Sequence, residues 1–219
     1  MLHCQTFKQR IEELKEKAQN IEALLSEYKK TGDKQIAGEI DSLLKEIEKF
    51  KQEFKTKATQ LIEEFIQRRD NKNENVEIIF DERDGRFIID GRLYFLYHTH
   101  LDNFPNLIKE ITGSFDIEAK IQIVNLPSLK KIGGDLYVLE AETINLPNIE
   151  EIGGSFWIPD APTIHLPNIK KIGGDIFFTE INLYLNSLIE ITREWRAKGI
   201  LRGKIYKIIK EGKDIEEIP

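Results

Sequence analysis

The residues whose types could do chemistry are few in this 219-residue sequence. His98-Thr99-His100 sets two imidazoles at i and i+2, which on a strand share a face, with Asp102 as the nearest further oxygen donor. Zinc takes three or four ligands, so the set is incomplete and reads as solvated or satisfied histidines beside a corner, with no metal site. Glu140, Asp160 and Glu180 recur every 20 residues and would stack as an acidic column. Such a column would attract a cation or a basic partner, or line a solvated turn. Cys4 has no activating base in view, and no serine, lysine or carboxylate pair sits in a catalytic pattern. The glycine pairs fit neither the phosphate-binding loop nor the dinucleotide fingerprint. The chemistry this leaves is recognition: no enzyme, no catalytic residue, no cofactor.

Two surfaces could do it. Tyr94, Asp116, Tyr137, Trp157 and Phe177 recur at one position of a repeat and would lie in a row facing outward. Exposed aromatics in a row mark contact sites, so Tyr94, Tyr137, Trp157 and Phe177 are the candidate partner-binding residues. The blander alternatives are that the rings only stack on one another or that the N-terminal helices cover them. The second surface is basic. From Arg193 to Lys210 there are seven Lys and Arg against one Glu, with Trp195 and Tyr206 interleaved, a pattern that could hold nucleic acid or form a charged amphipathic cap.

What must position these residues is a repeat. LPSLKKIGGDLYVLEAETIN (126–145), LPNIEEIGGSFWIPDAPTIH (146–165) and LPNIKKIGGDIFFTEINLYL (166–185) are nearly one sentence written three times, with a period of 20. A period of this size marks a solenoid whose coils bury apolar side chains only against neighbouring coils. The isoleucine before the glycines recurs at 89, 111, 132, 152, 172 and 191. Leu93, Phe115, Leu136, Phe156 and Ile176, and the residues two further on, have the alternation of inward strand positions. The glycine pairs would free the backbone for a tight corner, and prolines 105, 127, 147 and 167 would stiffen another. Asn103, Asn125, Asn145 and His165 would make a side-chain ladder. Lys130-Lys131, Glu150-Glu151 and Lys170-Lys171 would face one another with opposite sign.

The pattern L-x-x-[LI]-x-x-I-G-G-x-[LFI]-x-[IVF], over roughly residues 85–192, resembles the receptor L-domain form of leucine-rich repeat. The resemblance implies a right-handed parallel β-solenoid whose role is recognition. It carries over no functional residue, and this sequence lacks the disulfides and cysteine-rich modules of the receptors.

The flanks read as caps and helices. Phe7, Ile11, Leu14, Ala18, Ile21, Leu25 and Tyr28 form a heptad seam, and Ile36 to Phe65 a second, broken at Thr31-Gly32-Asp33. The expectation is a helical hairpin over 1–72, serving assembly or self-association, and a solenoid domain over 73–219. Residues 76–90 would be a β-hairpin cap turning at Asp84-Gly85. Residues 187–219 would be a C-terminal cap, with a helix from Ser187 to Gly199, then either a closing strand or one more degraded coil through Arg202-Gly203-Lys204-Ile205-Tyr206. The fold class is α+β.

Charge divides along the same lines. Residues 1–72 carry 15 Lys and Arg against 14 Asp and Glu, residues 73–192 carry 9 against 19, and residues 193–219 carry 8 against 5. An acidic solenoid repels a phosphate backbone, so a protein partner is expected ahead of nucleic acid. A single cysteine, no apolar run of membrane-spanning length and no signal-type apolar segment point to a cytoplasmic protein without membrane association.

Overall fold

The computed structural model describes residues 2–67, 76–96, 106–159, 163–179, 185–209 and 214–218. The chain forms two compact units, Met1–Gln60 and Leu61–Pro219. The first is an antiparallel pair made by α1 (Leu2–Thr31) and α2 (Lys34–Ile66), α2 running on into the second unit. The break between them is the expected one. Gly32 takes φ 65° and donates its N–H to the Tyr28 carbonyl, and the Asp33 carboxylate caps α2 by accepting from the Gln35 N–H at 2.8 Å. The inner face uses Leu14, Ile21 and Leu24 with Ile40, Leu43 and Ile47, whereas Ala18 and Leu25 of the expected seam lie outside it.

The second unit is a parallel β-solenoid of about four turns. Its strands are β1 (Glu77–Asp81), β2 (Arg86–Asp90), β3 (Leu93–Leu96), β4 (Ile108–Ile111), β5 (Phe115–Asn125), β6 (Lys131–Ile132) and β7 (Leu136–Asn145). They continue as β8 (Glu151–Ile152), β9 (Phe156–Ile158), β10 (Thr163–His165), β11 (Lys171–Ile172) and β12 (Ile176–Thr179). Helix α3 (Leu185–Ala197), β13 (Ile205–Ile209) and β14 (Asp214–Ile218) complete it. One sheet runs β1-β2-β4-β6-β8-β11 and the other β14-β13-β12-β9-β7-β5-β3, with β10 beside β7. All pairings are parallel except the hairpins β1–β2 and β13–β14.

The inward columns are as the period requires. Leu93, Phe115, Leu136, Phe156, Ile176 and Ile205 are in register and fully buried, as are Phe95, Ile117, Val138, Ile158 and Phe178. The short-leg column of Ile89, Ile111, Ile132, Ile152 and Ile172 is equally closed. Its sixth member is Leu201, bridged to Ile172, not Ile191. Leu185–Ile191 has the apolar spacing of a coil, but Thr192-Arg193 stand where the glycines should be, and the segment is helical.

The glycine corners have a different cause from the one expected. Gly133, Gly153 and Gly173 are not among the positive-φ glycines. Each is in van der Waals contact with the coil before it, so a Cβ on Gly153 would overlap the Gly133 carbonyl oxygen and one on Gly173 the Gly153 oxygen. Proximity, not dihedral freedom, requires glycine here. The next residue adds a ladder: the Asp135 N–H donates to the Ser114 hydroxyl at 3.0 Å and the Ser155 N–H to the Asp135 carboxylate at 2.6 Å. The Asp175 N–H donates to the Ser155 hydroxyl at 3.1 Å and the Lys204 N–H to the Asp175 carboxylate at 2.7 Å. The Asn145 amide donates to Asn125 at 2.8 Å, and Lys170 pairs with Glu150 and Lys171 with Glu151 across coils.

Both ends are closed. At the first, Phe65 and Ile62 of α2 are buried, with Phe65 against Phe95 at 5.4 Å between ring centroids. At the other, Trp195 of α3 is buried and Gly199, with φ 71°, ends the helix in a Schellman turn as Ile200 N–H donates to the Trp195 carbonyl. The chain then makes the degraded coil: Leu201 sits under Ile172, β13 pairs in parallel with β12, and β14 closes the edge. In the inward column Lys207 follows Phe178, and its ammonium pairs with Glu216 at 2.9 Å, so the core ends on a charge. Helix α3 begins at Leu185, ahead of the expected cap at Ser187.

Candidate functional site

The outward row is built by the pleat. Because Phe156 and Ile158 point into the core, Trp157 between them points out, and register places it beside Tyr137 on one side and Phe177 on the other. All three are half-buried. The Trp157 and Phe177 rings lie 3.7 Å apart between centroids and within 10° of parallel. Phe177 stacks in turn on Tyr206 at 5.1 Å and 15°, while Tyr137 leans on Trp157 at 6.2 Å and 42°. The rings are therefore coins on edge along the solenoid axis. Both faces of Phe177 and one face each of Trp157 and Tyr206 are spent in the stack, so its centre offers ring edge outward.

Tyr206, expected in the basic segment and not in the aromatic row, joins the row. It lies 29 positions after Phe177 rather than 20, because α3 intervenes, and only the alignment of Arg202–Tyr206 as a degraded coil could have signalled it. Tyr94, conversely, is separated from the stack. Asp116 lies between it and Tyr137 in the row, paired to Arg92 at 2.5 Å. The Tyr94 hydroxyl donates to Glu118, and this bond pushes its pKa up to about 12. The first end of the row is thus a polar network and the second an aromatic stack. Alongside the rings, the next outward positions are Leu139, Thr179, Ile208 and Ile215, the last 56% exposed, whereas Pro159 is buried. Asp135 and Asp175 stand on the other flank.

The basic segment is arranged otherwise. Lys198 pairs with Glu194, Lys204 with Glu217 and Lys207 with Glu216. Trp195 is in the core and the Tyr206 ring face is taken by Phe177. His98, His100, Asp102, Asp160 and Glu180 lie outside the described residues. Glu140 is described, and it is the one non-glycine residue among them with positive φ, 56°, opposite a register shift between β5 and β7. Cys4 lies in α1. Among the described residues no three His, Cys, Asp or Glu side chains gather as metal ligands, and no helix is long and apolar enough to cross a membrane. No family model, curated protein or solved structure matches the chain.

Proposed function

We propose that this protein is a non-enzymatic recognition scaffold whose solenoid presents the row Tyr137, Trp157, Phe177 and Tyr206 to a protein partner. The observation that carries this is the stack of half-exposed rings, flanked by Leu139 and Ile208 and rimmed by Asp135 and Asp175. A ligand read by stacking, such as a sugar or a nucleobase, needs a free ring face, and at the centre of this row the faces are already stacked. Ring edges beside aliphatic side chains instead suit the apolar stripe of another protein, with the acidic rim favouring basic residues around it. The L-domain-like repeat pattern supports the same reading, since that family uses its solenoid for recognition.

Two substitutions test it. Phe156→Ala empties the core and should cost about 3–5 kcal/mol. Trp157→Ala loses a stacking partner outside the core and should cost about 1–2 kcal/mol, mostly its contacts with Phe177 and Tyr137. Thermal melts measure both. Partners retained from the native host by the wild-type chain should be lost with Trp157→Ala, because truncating a central aromatic anchor typically costs about 2 kcal/mol or more of binding. Retention of the same proteins by Trp157→Ala would remove the row from the interface.

A further inference from the structure

The helical hairpin has an apolar side that its own pairing leaves uncovered. Of the described side chains from Glu13 to Gln60, only Ile21, Ile40 and Ala58 are buried, while Leu25 is 41% and Leu44 49% exposed. At 100° per residue, Leu25 and Ala18 lie roughly 40° and 60° round α1 from Ile21. Leu44 and Ala37 lie at the same angles, in the same sense, from Ile40 on α2. In an antiparallel pair the same sense on both helices is the same side, so these four residues share one flank of the hairpin. The opposite flank is more charged: a cleft of about 230 Å³ there is lined by Glu13, Lys17, Glu46, Lys49 and Glu53 together with Leu14 and Phe50, and Lys17 pairs with Glu46 across it.

We propose that the Leu25–Leu44 side docks against the same side of a second copy of this chain, closing a four-helix bundle about a two-fold axis. Charge selects this occupant. Residues 1–72 carry 15 basic and 14 acidic side chains, whereas residues 73–192 carry 9 and 19, so two copies can approach through their hairpins but repel through their solenoids. Alanine beside leucine suits close helix packing at the roughly 8–10 Å of bundle interfaces. Area is sufficient. Helices of 30 and 33 residues are about 45 and 50 Å long, and a hairpin about 20 Å wide offers about 900 Å² per copy, the size of a standard stable interface. The contact is isologous, each copy giving the same side.

Light scattering on the full chain should give twice the 25.5 kDa chain mass at micromolar concentration. Two double variants then address the side itself: Leu25→Lys with Leu44→Lys, and Leu25→Glu with Leu44→Glu. Each alone should run as a monomer with wild-type far-ultraviolet circular dichroism, since both positions are already solvated. Mixed in equal amounts, they should recover the dimer through opposite charges, at low salt more than at high. Trp157→Ala should remain dimeric, which separates this contact from the recognition row. A monomeric wild-type chain, dimers that survive in either double variant, or a mixture that stays monomeric would each overturn the proposal.

Discussion

At the scale of single residues, glycine shows how one residue type serves two physical demands in one chain. Gly38 is within α2 with nothing near its missing side chain, so Gly38→Ala should stabilise by about 0.5–1 kcal/mol through helix propensity alone. Gly153→Ala drives a methyl group into the Gly133 carbonyl, and backbone against backbone cannot yield as a flexible side chain would. Overpacking of this kind costs about 3 kcal/mol. Urea midpoints of the two variants should therefore move in opposite directions. If Gly153→Ala were as benign as Gly38→Ala, the coils would be more loosely stacked than described. The same scale shows what a sequence hides. The spacing of Gly-Gly was plain, but its cause was not, because a dihedral need and a contact need leave the same letter. Likewise Ala18 and Leu25 fit the heptad as well as Leu14 and Ile21, and only the narrow inner face of a two-helix pair separates them.

At the scale of elements, the β1–β2 hairpin is the most electrostatically committed part of the solenoid. The Asp81 carboxylate accepts from the backbone and guanidinium of Arg83 at 2.6–2.9 Å and from Lys109 at 2.6 Å, and Asp84 holds Lys109 from the other side at 3.0 Å. Arg83 above all, then Lys109, holds Asp81 well below the usual carboxylate range, and Lys170 and Lys171 lower Glu150 and Glu151. A carboxylate depressed in the folded state stabilises fully above its unfolded pKa, near 4, and loses that contribution as pH falls further. The urea midpoint of the wild-type chain should thus decline from about pH 4.5 downward. Asp81→Asn should be less stable at neutral pH, and its deficit should shrink steadily below pH 4. A deficit independent of pH would assign the role of Asp81 to shape rather than charge. This hairpin and the strand columns were legible in advance because Asp-Gly turns and period-two alternation act over a few residues. The last coil was legible only as one of two alternatives, since its helix breaks the period between Phe177 and Tyr206, and a helix of L-x-x-L-x-x-I spacing imitates a coil until its missing glycines are weighed.

At the scale of the whole molecule, a stack of coils has stability that sums over neighbours, so the joins matter as much as the units. Two ladders at those joins alternate. Glu110, Lys131, Glu151 and Lys171 change sign from coil to coil, and Ser114, Asp135, Ser155 and Asp175 change type in step with them. The apolar columns are indifferent to which coil follows which, but these ladders have parity. An extra copy of residues 146–165 would set Glu150-Glu151 against Glu150-Glu151, with like charges costing about 0.2–1 kcal/mol for each pair. An extra copy of residues 126–165 would set every charge against its opposite. The forty-residue insertion should therefore keep or raise the denaturant midpoint, the twenty-residue one should lower it, and 1 M salt should narrow the difference. Equal midpoints for the two insertions would mean that the ladders are ornamental. If parity holds, the repeat visible to the eye is 20 residues, but the repeat the molecule can lengthen or shorten by is 40, and solenoids of this kind would grow by an even number of coils.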